Sequence, residues 1–162
     1  MKLYENMVKT AGVLLDKIAQ VFLCVLIIVV VANVLLRVFL GNPILGTYEY
    51  VGFFASLLIG FSLAYCALED GNIAIEFFYH KLSKGGQIVV DIIMSVTAFI
   101  FFVFVTWHMG RFAHSMVLTG EVSAATGTPV FYFVYMVAFG ILMLCLVLLL
   151  KTLNIIKEVL HK

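Results

Sequence analysis

Four stretches of this chain carry no Asp, Glu, Lys or Arg: residues 18–36, 50–68, 92–110 and 122–150. Crossing a hydrocarbon core of about 30 Å takes roughly 20 helical residues, so each of the first three supplies one helix. The fourth is longer, but Thr128-Pro129 offers an N-cap and a first-turn proline that would start its helix late. Transmembrane β-strands would be about half as long and would alternate in polarity, which these runs do not. The chain is 64% hydrophobic and only 12% charged, far from the half-apolar, quarter-charged balance of soluble domains. The expected fold is an all-α integral membrane protein, one domain over residues 1–162, with spans near 18–38, 48–68, 90–110 and 129–150. A cleaved signal peptide would have a shorter apolar region and a small-residue cleavage site after it. The first run has neither, and reads as an anchor that stays.

Four spans place both termini on one side. Lys2, Lys9, Lys17, Lys81, Lys84, Lys151, Lys157 and Lys162 then share that side, and only Arg37 and Arg111 fall opposite. The positive-inside rule assigns the termini and the second loop to the cytoplasm. Tyr48, Tyr50 and Trp107 then sit at the outer interface, with Tyr4 and Tyr79 at the inner one. Two segments have the pattern of interfacial amphipathic helices. In residues 3–17, Leu3, Met7, Ala11 and Leu14, followed by Ile18, share a face opposite Lys2, Glu5, Lys9 and Asp16. In residues 72–84, Ile75, Phe78, Tyr79 and Leu82 form an apolar stripe opposite Glu76, His80 and Lys84. Short connecting helices packed on the other loops would show the same pattern.

No Asp, Glu, Lys, Arg or His occupies the middle of a span. Ionisable groups at membrane depth are costly and mark ion paths or proton relays; here Asp16, Lys17, Arg37, Glu49, Asp91 and Arg111 all fall at span ends. His108 and His114 are both near the outer end of the third span and on different faces, a poor arrangement for haem in a bundle. Cys24, Cys66 and Cys145 match no metal or redox spacing. No Ser or Cys has a base and an orienting group beside it. Neither an enzyme nor a bound metal or cofactor is expected, and a net charge of +1 offers nothing to nucleic acid.

The positive signal is in the second span, where Gly52, Ser56, Gly60 and Ala64 recur every four residues. Small residues let membrane helices approach closely. The stripe suits either a partner protein or the chain's own helices. Glu49 lies one turn before it. Across the short loop containing Gly41-Asn42-Pro43, Arg37 sits at a similar depth near the outer interface. The two either staple the first hairpin as an ion pair or reach a partner subunit.

With Asn33 and Arg37 ending the first span, Pro43-Ile44 in the outer loop, Glu49 opening the second span and Gly60 within it, the chain resembles a known family. It is similar to the small, Q-type membrane subunit of tripartite ATP-independent periplasmic (TRAP) transporters. The segment Gly71-Asn72-Ile73-Ala74-Ile75-Glu76 resembles the family's His-Ile-x-Ile-Asp pattern, with Asn72 for the His and Glu76 for the Asp. A single Glu49 stands where many relatives carry an acidic pair. The resemblance implies a non-catalytic scaffold in the bacterial inner membrane. Its partners would be a large elevator-type membrane subunit and a periplasmic substrate-binding protein, in a sodium-coupled importer of an organic acid. Arg37, Glu49, Gly52, Ser56, Gly60 and Ala64 are the candidate partner interface. Tyr48, Tyr50, Trp107, Ile75, Phe78, Tyr79 and Leu82 are the candidate contacts to phospholipid. The alternative is a free-standing homo-oligomeric transporter that uses Glu49 or Asp91.

Overall fold

The computed structural model describes residues 2–69 and 84–160. Lipid cannot hydrogen-bond a peptide group, so apolar runs of this length satisfy their backbones internally as helices. Among the described residues four helices form: α1 (Lys2–Leu40), α2 (Thr47–Leu68), α3 (Lys84–Thr119) and α4 (Phe131–Leu160). All four are long and apolar enough to cross a membrane. The expected interfacial stripe of Ile75, Phe78, Tyr79 and Leu82 lies outside the described residues.

The helices pair as two hairpins, α1 with α2 and α3 with α4, and the hairpins join through α2 against α4. α2 and α4 therefore form the centre, and α1 and α3 flank them. The turn at 41–46 and the loop at 120–130 come together at one end. Leu57 of α2 and Val147 of α4 are 1% and 0% exposed at the heart of the core. Around them pack Phe61, Ala64 and Ala67 of α2 with Met143, Leu144 and Leu148 of α4. The flanking helices turn broad apolar faces outward, including Ile28, Val34 and Val38 on α1 and Ile100, Phe101 and Phe104 on α3.

α2 and α4 approach closely where two glycines meet. A Cβ on Gly140 would overlap the Gly60 carbonyl, and one on Gly60 would lie 3.3 Å from the Val137 Cα. Lipid already solvates apolar side chains, so backbone proximity of this kind drives membrane helices together.

Segment 3–17 is not separated from the first span: α1 runs unbroken for 39 residues, about 58 Å at 1.5 Å per residue. The face it buries is Val8, Leu15 and Ala19, while Met7 and Leu14 of the expected apolar face are exposed. Val8, Leu15 and Ala19 join the same core as Ala64 and Ala67. The neighbouring helix thus sets the buried angle, one residue round from the apolar stripe of the sequence. At α4, the helix begins at Phe131, two residues beyond Pro129. Pro129 instead forms an isolated antiparallel bridge with Val122.

Candidate functional site

The first hairpin turns through Gly41 and Gly46, whose φ angles are 65° and 75°. Gly46 is the N-cap of α2, and its carbonyl accepts the amides of Glu49 (3.0 Å) and Tyr50 (3.2 Å). Glu49 thus lies in the first turn, where a negative charge meets the positive end of the helix dipole. A Cβ on Gly46 would overlap Thr126 Cγ2, so the absence of a side chain there lets the 120–130 loop close down on the turn.

That loop has a shape of its own. Gly120, at φ 66°, ends α3, and the Glu121 amide returns to the Met116 carbonyl at 3.3 Å, the bond of a Schellman cap. The Ser123 amide donates to the Thr128 carbonyl and the Gly127 amide to the Ser123 carbonyl, both at 2.9 Å. The resulting small ring leaves the successive amides of Ala125 and Thr126 free to point the same way.

Glu49 fills the concavity. The Ala125 amide donates to Oε1 at 2.9 Å, and the Thr126 amide donates to Oε2 at 3.1 Å. The Thr126 hydroxyl also donates to Oε2, at 3.1 Å, and so does the Ser123 hydroxyl. Behind them the Thr128 hydroxyl donates to Thr126 Oγ1 at 2.8 Å. Consecutive backbone N–H groups aimed inward form an anion-binding nest, and here the anion is the chain's own side chain. Ser123 is buried. Beneath the clasp, Phe53 and Phe133 stack with centroids 4.2 Å apart and planes 4° from parallel.

Arg37 is not part of this arrangement. Its side chain is exposed, and among the described residues it makes no ion pair with Glu49. The first hairpin is pinned instead by Asn33, whose Oδ1 accepts the Ile44 amide at 2.9 Å. Thr47 adds a hydroxyl donor to the Ile44 carbonyl at 2.7 Å.

The four-residue stripe divides. Gly60 and Ala64 are buried within the chain's own α2–α4 contact and core. Ser56 is half-buried, and its hydroxyl donates back to the Phe53 carbonyl at 2.8 Å. Gly52 is exposed, with open space where a Cβ would be. It borders a 310 Å³ cleft shared with Tyr48, Glu49 and Val130. Of the aromatic belt, Tyr48 and Trp107 are well exposed and Tyr50 is half-buried.

Ser123, Ala125 and Thr126 were not among the residues singled out from the sequence. Their signal was the surplus length of the last charge-free run, which begins with the small, hydroxyl-rich segment Ser123-Ala124-Ala125-Thr126-Gly127-Thr128. Among the described residues no cluster of three His, Cys, Asp or Glu side chains is arranged to hold a metal.

A family model described as "Tripartite ATP-independent periplasmic transporters, DctQ component" matches residues 26–158. The match runs from the middle of α1 almost to the end of α4, and so includes Asn33, Glu49 and the whole clasping loop. Comparison with curated proteins and with solved structures finds no match.

Proposed function

Because the chain belongs to the DctQ family, the small component of tripartite ATP-independent periplasmic transporters, we propose that it is the transporter's non-catalytic scaffold. In this reading it binds and braces a large elevator-type membrane subunit. That subunit moves an organic acid with sodium after a periplasmic binding protein delivers it. Both termini lie in the cytoplasm.

The observation that carries this reading is the state of Glu49. It is the acidic residue at the head of α2, and it accepts from four donors of the chain's own loop. A carboxylate satisfied in this way fixes structure rather than cycling ions. It locks the two hairpins together at one end, while the Gly60–Gly140 contact locks them lower down. A carrier that moves by sliding one domain against another needs such a rigid frame. Gly60 and Ala64 serve this frame from within. Arg37, Tyr48 and Gly52, which remain open, are the part of the expected interface available to the large subunit.

The test is expression of the chain with and without a large membrane subunit. Co-purification, with uptake in liposomes only when both are present, is the expected result. Uptake by this chain alone would overturn the scaffold role in favour of a free-standing transporter.

A further inference from the structure

A second cavity lies away from the clasp, between α3 and α4. It is an open groove of 570 Å³ lined by Val103, Trp107, Arg111 and His114 of α3 and by Tyr135 and Leu142 of α4, among others. Volumes of this size are ordinary for small-molecule sites, and here the polar groups are segregated along the groove. The deep part is apolar. Thr106, on its wall, has its hydroxyl turned to the Phe102 carbonyl at 2.8 Å. Both basic residues of the lining, Arg111 and His114, belong to one end, along with the amphipathic Trp107 and Tyr135.

That end coincides with a membrane interface. Asp91 and Arg111 bracket the charge-free stretch 92–110 of α3, and the helix rises about 30 Å between them, the thickness of the hydrocarbon core. From Arg111 the lining descends back along α3 to Val103, about 12 Å of that length and most of one leaflet of roughly 15 Å. Among the described residues α3 packs to any extent only on α4, so the groove opens sideways. Trp107 is 66% exposed. Among the described residues Arg111 has no acidic partner, so its guanidinium is available to a phosphate, the group it is shaped to hold.

An apolar trough one leaflet long, with an unpaired cation at its interfacial end, is complementary to an amphiphile with an anionic head. We propose that the α3–α4 groove binds an anionic phospholipid of the leaflet nearest the 120–130 loop. One acyl chain lies along Val103 and Leu142, and the phosphate rests on Arg111 and His114. The site is independent of the transporter role and would stand without it.

Trp107 is the chain's one tryptophan and lines the groove, so its fluorescence reports occupancy directly. The full chain is reconstituted in phosphatidylcholine vesicles containing, at equal mole fraction, either brominated phosphatidylglycerol or brominated phosphatidylcholine. Brominated phosphatidylglycerol is expected to be enriched at Trp107 about fivefold over the neutral lipid, the preference one interfacial cation confers. Arg111→Gln should abolish that preference. Arg111→Lys should keep it, and Arg37→Gln, a charge removed outside the groove, should leave it unchanged. Equal quenching by the two lipids in the unsubstituted chain would overturn the site, as would a preference that survives Arg111→Gln. Protection of Trp107 from both lipids would overturn it too, showing that protein covers the groove.

Discussion

The Ser123 hydroxyl donates to the Glu49 carboxylate across 74 residues of sequence, joining the loop of the second hairpin to the first turn of α2. Two backbone amides and the Thr126 hydroxyl complete the contact. A single side chain therefore gathers four donors of the loop, which also closes over the turn at Gly46. The expected consequences can be measured one residue at a time.

Glu49→Gln presents an NH2 group, itself a donor, to a ring of donors. The loop should release while the helices stay formed. In hydrogen exchange, the amides of Ala125 and Thr126 should become as fast as ordinary exposed loop amides, with helical circular dichroism unchanged. Ser123→Ala should loosen the same amides to a lesser degree, since three donors remain.

Arg37 and Glu49 act independently. Arg37→Gln should leave the thermal stability of the isolated chain unchanged. In a double-mutant cycle with Glu49→Gln, the coupling should stay within about 0.5 kcal/mol, the ordinary limit for independent sites. If Arg37 contributes to docking, the same substitution lowers co-purification with the large subunit.

Gly140→Ala inserts a methyl group against the Gly60 carbonyl. Overpacking a close contact costs about 1–3 kcal/mol, read as a lowered unfolding midpoint in denaturing detergent. Gly52→Ala, in the same small-residue stripe but facing open space, should fall within about 0.5 kcal/mol of the parent.

Leu57→Ala leaves a void where the side chain is 1% exposed. The loss should be about 2–5 kcal/mol by the cost of cavities in packed cores. It should fall on the whole bundle, because Leu57 belongs to the core that joins the hairpins.

Asn33→Ala removes the acceptor for the Ile44 amide. Because that site is exposed to alternative partners, the cost should be near 1 kcal/mol, typical of one hydrogen bond. Asn33→Asp, which keeps the acceptor, should retain most of the stability.

The helices were legible because lipid leaves a chain few options. Runs such as 50–68, with no charge to solvate, must satisfy their own amides, and each run in the sequence became a helix. The buried face of α1 was less legible. Met7 and Leu14 carry as much apolar surface as Val8 and Leu15, and only the positions of α2 and α4 select between them. The small-residue stripe was visible as a packing surface, but its partner was not. Gly60 meets Val137 and Gly140 through the fold, whereas a Cβ on Gly52 of the same stripe would have no neighbour within 4 Å among the described residues.

Sequence by itself determined that this chain is an all-helical membrane protein, and placed Glu49 and Arg37 at the ends of helices. Those conclusions follow from the free energy of moving charges and peptide groups into hydrocarbon, which depends on residue identity and run length alone. Only the tertiary structure decided what Glu49 does. Arg37 is its neighbour across a short turn and the obvious opposite charge. The stronger claim comes from Ser123, Ala125 and Thr126, because the parallel packing of α2 and α4 brings that loop over the carboxylate. Its polarity arises from backbone amides oriented by two glycine-bearing turns, and a list of side chains does not display it.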